Sequence, residues 1–144
     1  MKKILSIIAL ISSLSVNAQT TVTLSKLKNT SWNIERNGKI DTEDTYSFCN
    51  EKMLWYSSIG NSKDLKFTYK YYLTSTLPTK YDSSLVGKNT KGCYIVRYNP
   101  VMDEFIYYII KSFDLSKGTM VLLPRSIEEP IGGMAKEIKY KLVK

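Results

Sequence analysis

The acidic side chains are the first candidates for chemistry, because the chain contains no histidine at all. Without histidine, neither Ser-His-Asp nor Cys-His catalysis can operate, and the usual imidazole ligands of zinc and copper are missing. Neighbouring carboxylates occur within residues 41–44, at 103–104 and at 128–129. Acid–base catalysis needs two carboxyl groups held in a cleft with different surroundings. Because all three groups fall in predicted turns, we expect solvated charge, no enzymatic activity, no metal site and no cofactor.

The two cysteines, Cys49 and Cys93, are the other reactive side chains. Two thiolates cannot complete a structural zinc site, which normally takes four ligands. In an oxidising compartment an isolated pair is a candidate disulfide. The alternative is two separate buried thiols that behave as small hydrophobic side chains. We therefore predict a Cys49–Cys93 disulfide and keep the free thiols as the alternative.

The first eighteen residues have the pattern of a secretory signal peptide. A basic Met1-Lys2-Lys3 start precedes an apolar run over residues 4–14, and Val16-Asn17-Ala18 resembles a signal-peptidase site. The apolar run is shorter than the roughly 20 residues that span a bilayer. We expect cleavage after Ala18, export to the periplasm or beyond, and no transmembrane segment in the mature chain.

The predicted mature chain, residues 19–144, is basic. Losing Lys2 and Lys3 lowers the formal net charge from +8 to +6. A basic surface favours anionic partners such as acidic glycans, lipid head groups or an acidic protein, although a solvated lysine-rich surface has the same composition. Nucleic acid is not an expected partner outside the cytoplasm.

Alternating patterns indicate strands along nearly all of the mature chain. Residues 65–74 are the clearest case, since Leu65, Phe67, Tyr69, Tyr71 and Leu73 alternate with polar or outward residues. The predicted strands are 31–36, 45–49, 53–58, 65–74, 93–98, 104–113, 119–123 and 137–143. The longest connections are 75–92, with a short helical turn expected near residues 81–86, and 125–135.

Eight short strands with little helix indicate a single all-β domain over residues 19–144. Eight is the number at which an antiparallel up-and-down barrel closes around side chains or one small ligand. Closure also removes the exposed edges that a lone sheet would leave open. We therefore predict an eight-stranded antiparallel up-and-down barrel.

The start and end of the mature chain resemble a lipocalin-like (calycin) domain of the exported bacterial type. Thr30-Ser31-Trp32 matches the tryptophan of the family's G-x-W motif but not its glycine, and residues 107–123 and 137–143 are similar to the late hairpin and the final strand. The resemblance implies that Trp32 plugs the closed end of the barrel, with Arg125 a position for the arginine that stacks on it. It also implies binding of a small apolar ligand, or an extracytoplasmic binding module.

We expect the ligand to enter at the open end of the barrel. The face carrying Phe67, Tyr69, Tyr71 and Leu73 is predicted to face inward, opposite the face that carries Phe105, Tyr107 and Ile109. The predicted ligand-binding residues are Tyr56, Phe67, Tyr69, Tyr71, Phe105 and Tyr107. The loops 75–92 and 125–135 would form the rim if they lie at the open end, and Lys80, Lys88 and Lys91 would then favour an anionic head group.

Two functions remain open at this point. One is a hollow barrel that carries a small apolar or amphipathic molecule, and the other is a filled barrel that acts as an extracytoplasmic protein-binding module of the inhibitor or immunity type. Aromatic side chains suit both, because they either fill a core or line a pocket with hydroxyl groups.

Overall fold

A computed structural model of the protein describes residues 19–88, 90–126 and 136–144. The predicted signal peptide, residues 1–18, lies outside the described residues, as does most of the predicted loop 125–135.

Eight strands close into one antiparallel barrel, which confirms the predicted fold class. Around the barrel the order is β10-β2-β3-β4-β5-β7-β8-β9, so strands adjacent in sequence are adjacent in space and β10 closes onto β2. Their bounds are β2 Thr30–Arg36, β3 Lys39–Phe48, β4 Lys52–Ile59, β5 Ser62–Thr74, β7 Tyr94–Asn99, β8 Glu104–Asp114, β9 Thr119–Arg125 and β10 Ile138–Leu142.

Several short elements lie at one end of the barrel. The two-residue strands β1 (Val22–Thr23) and β6 (Lys91–Gly92) pair with each other, and the one-turn helix α1 (Leu24–Leu27) follows β1. A 3₁₀ helix over Ser83–Leu85 confirms the helical turn predicted near residues 81–86.

We call the end that carries these elements the closed end, formed by residues 19–29, 49–51, 75–88, 90–93, 115–118 and 143–144. Trp32 is fully buried there, and its indole nitrogen donates a hydrogen bond to the Thr30 hydroxyl at 2.7 Å. Leu24 and Leu27 of α1 are buried in the same core, and the Phe113 ring lies 5.8 Å from the Trp32 ring. Trp32 is therefore buried at the end of the barrel that α1 covers.

The opposite end, which we call the open end, carries the hairpin turns 37–38, 60–61 and 100–103. Loop 75–92 lies at the closed end, because it connects the end of β5 to the start of β7. Loop 75–92 therefore does not meet the condition under which it would form the rim of the open end. Strand direction decides the placement, and loop length carries no information about it.

The two cysteines are free, so the predicted disulfide was wrong. Cys49 follows β3 and Cys93 precedes β7, and β4 and β5 lie between these two strands. Three inter-strand steps of about 4.8 Å separate them by far more than the roughly 4.4–6.8 Å between Cα atoms that a disulfide spans. The Cys93 thiol instead points to the Ser75 carbonyl oxygen at 3.9 Å.

Arg125 does not stack on Trp32. It ends β9 at the open end, whereas Trp32 lies at the closed end, and its guanidinium donates to the Pro124 carbonyl oxygen at 3.1 Å. The position implied by the resemblance is therefore corrected, since the length of β9 separates the two side chains.

Candidate functional site

A cup with a volume of about 240 Å³ lies at the open end of the barrel. Its inner wall comes from strand positions that also pack against the core: Phe67 and Tyr69 on β5, Arg97 on β7 and Ile106 on β8. The β7–β8 hairpin supplies its outer lip. The lip residues are Asn99, Met102 and Glu104. Below the cup, buried side chains of the hydrophobic core pack against one another inside the barrel.

Arg97 is the one cation among the described residues that line the cup. Its guanidinium carbon lies 4.2 Å from the centroid of the Tyr69 ring and 5.5 Å from that of Tyr108. Among the described residues no carboxylate lies within 4.0 Å of it, although Glu104 lines the same cup. Aromatic faces thus hold the guanidinium in place and leave its hydrogen-bond donors available to an anion.

A row of parallel aromatic rings leads across three strands to the cup. Tyr46 stacks on Trp55 with ring centroids 6.2 Å apart, Trp55 stacks on Phe67 at 5.8 Å, and Phe67 stacks on Tyr69 at 5.7 Å. The Trp55 indole also donates to Asp44 at 2.8 Å, which fixes the orientation of the row. These flat, preorganised faces suit a planar ligand.

Buried tyrosine hydroxyls near Arg97 stay protonated. Burial, and then the neighbouring Asp44 carboxylate, raise the pKa of Tyr46 to about 12, while the Arg97 charge acts in the opposite direction. Burial likewise raises the pKa of Tyr108 and of Tyr140. These hydroxyls are therefore neutral, and Arg97 supplies the positive charge beside them.

Of the six predicted site residues, the structure brings Phe67 and Tyr69 together in the cup. Tyr71 faces inward as expected, but it is fully buried towards the closed end and its hydroxyl donates to the Cys49 carbonyl oxygen. Tyr71 is therefore part of the packed core below the cup.

The other three predicted residues lie on the outer face of the barrel. Tyr56 pairs with the half-exposed Leu65, and the Lys63 ammonium lies 4.9 Å from its ring. Phe105 and Tyr107 pair with Tyr98 and Val96, whose neighbours Arg97 and Ile95 face inward.

The inward face of β8 is Ile106, Tyr108 and Ile110, so the expected inward face Phe105, Tyr107 and Ile109 was wrong. Residues 105–110 are apolar on both faces, and alternation therefore could not indicate which face is inside. Tyr107 makes an edge-to-face contact with Tyr94 on the outer face, at 5.9 Å between centroids.

Sequence reasoning missed five of the seven residues that line the cup, namely Arg97, Asn99, Met102, Glu104 and Ile106. A signal for Arg97 existed, since it lies two positions after Ile95 in a predicted strand and therefore on the same face as a core residue. Met102 gave no signal, because it lies in a turn.

Exposed apolar side chains surround the mouth of the cup. They come from the three hairpins that end at the open end. The residues, with their exposed fractions, are Ile40 (49%), Ile59 (72%), Leu65 (51%), Val101 (83%) and Met102 (59%). Single exposed apolar residues are common, but five on neighbouring hairpins form a rim that an apolar partner or ligand can contact.

Within the described ranges, no group of three or more acidic or cysteine side chains is placed to hold a metal ion. No helix in the described part of the chain has the length and hydropathy needed to cross a bilayer. No known protein family matches the chain, and no curated protein or solved structure matches it. The eight-stranded antiparallel barrel is consistent with the lipocalin-like resemblance.

Proposed function

We propose that this protein is an exported lipocalin-like binding protein whose open-end cup takes a small amphipathic ligand with a planar apolar body and an anionic group. The observation that carries the proposal is Arg97, a guanidinium inside the barrel wall that aromatic faces support and no described carboxylate neutralises. A carboxylate, or another planar anion, would accept two parallel hydrogen bonds from it.

The dimensions of the cup limit the ligand. Its volume of about 240 Å³ exceeds the roughly 150 Å³ of a cavity that holds benzene, and falls below the roughly 300–1,000 Å³ of pockets for drug-sized molecules. The ligand is therefore one or two rings, or a short chain, with the apolar part against Phe67 and Ile106.

The test is titration of the mature protein with 2-naphthoate, monitored by calorimetry and by the emission of the nearby Trp55. We expect binding to the wild type and at least tenfold weaker binding to Arg97→Met, because a charge-assisted hydrogen bond contributes roughly 1.5–3 kcal/mol. Binding of the uncharged 2-naphthamide should be weak in both proteins.

Arg36→Met is the matched control. It removes the same charge at the same end, but Arg36 is largely exposed and already pairs with Asp41 at 3.0 Å. Equal losses in Arg97→Met and Arg36→Met would show that general attraction, and not the cup, holds the anion, and the proposed site would be wrong.

The exposed rim favours a second candidate, an extracytoplasmic protein-binding module. Under this alternative, Ile59 and Val101 contact a partner protein and the cup stays empty. Native mass spectrometry of the exported protein separates the two. A small co-purified mass that disappears in Arg97→Met favours the carrier. A protein complex that is lost in the double variant Ile59→Ser/Val101→Ser, but persists in Arg97→Met, favours the module.

Export remains part of the proposal and has its own test. We expect the extracytoplasmic protein to begin at Gln19, since cleavage after Ala18 fits the small residues that precede it. Intact mass measurement of the exported protein checks this, and a mass that retains residues 1–18 would contradict it.

A further inference from the structure

The closed end of the barrel, opposite the cup, is basic. The residues that form this end include seven lysines and only two acidic side chains, Glu51 and Asp82. This excess of positive charge favours anions at this end.

A second cavity of about 240 Å³ lies beside this end, between loop 75–92 and the outer face of the barrel. Two lysines from neighbouring strands line it, Lys52 on β4 and Lys70 on β5, and they occupy directly opposite positions in the ladder. Like charges that face each other across a strand pair are destabilising unless something lies between them. Among the described residues, neither lysine has a carboxylate within 4.0 Å.

The loop side of the cavity adds an unused hydrogen-bonding group. Tyr81 lines the cavity, and its hydroxyl oxygen is buried without a hydrogen-bond partner among the described residues. The ring is fixed in place by stacking on Tyr98, with centroids 4.2 Å apart, and by contact with Tyr72 at 5.9 Å. Leaving a buried hydroxyl unpaired costs roughly 1–3 kcal/mol, which a bound acceptor would recover.

The Glu51 carboxylate opposes the binding of an anion in this cavity. It lines the same cavity, and its carboxylate lies against Gly87, where an added Cβ would be 2.7 Å from the nearer oxygen. Gly87 therefore leaves room for this carboxylate on the loop side. Two cations, Lys52 and Lys70, still outnumber this one anion in the cavity wall.

From this arrangement we propose that the cavity formed by Lys52, Lys70 and Tyr81 binds a tetrahedral oxyanion, a phosphate group, at the closed end of the barrel. The two ammonium groups supply the charge, and the Tyr81 hydroxyl donates a directed hydrogen bond that surface lysines alone would lack. The site is independent of the cup, so either proposal can be refuted without refuting the other.

The test is an NMR titration of the mature protein with inorganic phosphate at constant ionic strength. We expect Lys52→Gln/Lys70→Gln to weaken binding about tenfold and Tyr81→Phe, which keeps the stacked ring, to weaken it about threefold. Glu51→Gln should tighten binding, because Glu51 is the one acidic group among the described residues that line the cavity.

Lys26→Gln/Lys28→Gln is the matched control, since it removes two exposed charges from the closed end without touching the cavity. We expect its affinity within twofold of the wild type. If the two double variants lose affinity equally, or if Glu51→Gln has no effect, attraction is diffuse and the site is refuted. The amide fingerprint of each variant verifies that it is folded.

A second arm identifies the source of the phosphate group. Vesicles that contain phosphatidylglycerol in phosphatidylcholine are compared with phosphatidylcholine alone in a co-sedimentation assay. Binding that requires Lys52 and Lys70 indicates a lipid head group, and phosphate binding without vesicle binding indicates a free phosphorylated molecule. Absence of both would overturn the proposal.

Discussion

Replacing Trp32 with alanine should remove the plug of the closed end and cost more stability than any change at the cup. The side chain is fully buried, and truncating a buried tryptophan to alanine costs roughly 3–5 kcal/mol. We expect the upper half of that range, because the indole also loses its 2.7 Å hydrogen bond to Thr30. Trp32→Phe keeps a ring but loses this hydrogen bond, and should cost about 1–2 kcal/mol.

The only other tryptophan provides the control. Trp55 is half-buried near the open end, so Trp55→Ala removes less apolar surface from the core and should cost roughly 1–2 kcal/mol. It also loses the hydrogen bond to Asp44. The assay is urea unfolding followed by far-ultraviolet circular dichroism, since tryptophan emission differs between the variants.

The comparison of the two alanine variants decides the result. If Trp32→Ala costs no more free energy of unfolding than Trp55→Ala, then Trp32 does not close the barrel and the assignment of the two ends is wrong. A lower urea midpoint with an unchanged slope for Trp32→Ala would support the role of Trp32 at the closed end, because the surface exposed on unfolding is then unchanged.

Three further predictions follow from buried and crowded groups. Burial raises the pKa of Tyr46 to about 12, so between pH 10 and 12 the folded state keeps a proton that the unfolded state loses. The free energy of unfolding should therefore fall as the pH rises from about 10 to 12, and urea midpoints at several pH values check this. Thiol titration in denaturant without reductant should find two free thiols, Cys49 and Cys93, and a single titrated thiol or none would contradict their separation. Gly92→Ala should destabilise the folded protein strongly, because the added Cβ would lie 2.1 Å from a backbone oxygen. The added Cβ of Gly60→Ala meets nothing within 4 Å, so this variant should lose only about 1 kcal/mol of stability. Thermal unfolding compares the two variants.

The strands could be predicted from sequence because each buries one face of alternating side chains. All eight predicted segments overlap the observed barrel strands. The boundaries differ most at β3, which starts at Lys39 where residue 45 was predicted. Residues 39–44 are mostly charged, and their pairing depends on the tight Asn37-Gly38 turn, where both residues have positive φ.

Less of the candidate site than of the fold could be predicted from the sequence. Phe67 and Tyr69 were identified because β5 has one clear apolar face, whereas β8 is apolar on both faces and its inward side depends on register with β7. The cation–aromatic contact of Arg97 joins three strands, and no local pattern encodes a contact between them. The position of loop 75–92 likewise depends on strand direction around the barrel.

The central claim, an anion site inside the barrel mouth, is tested most directly by chemical-shift mapping of the labelled mature protein with 2-naphthoate. We predict that the largest shifts fall on Phe67, Tyr69 and Ile106 and on the Arg97 side-chain Nε–H, and that Arg97→Met abolishes them. Saturating 2-naphthoate that shifts only outer-face residues such as Tyr56 or Tyr107, or shifts nothing, would contradict the claim.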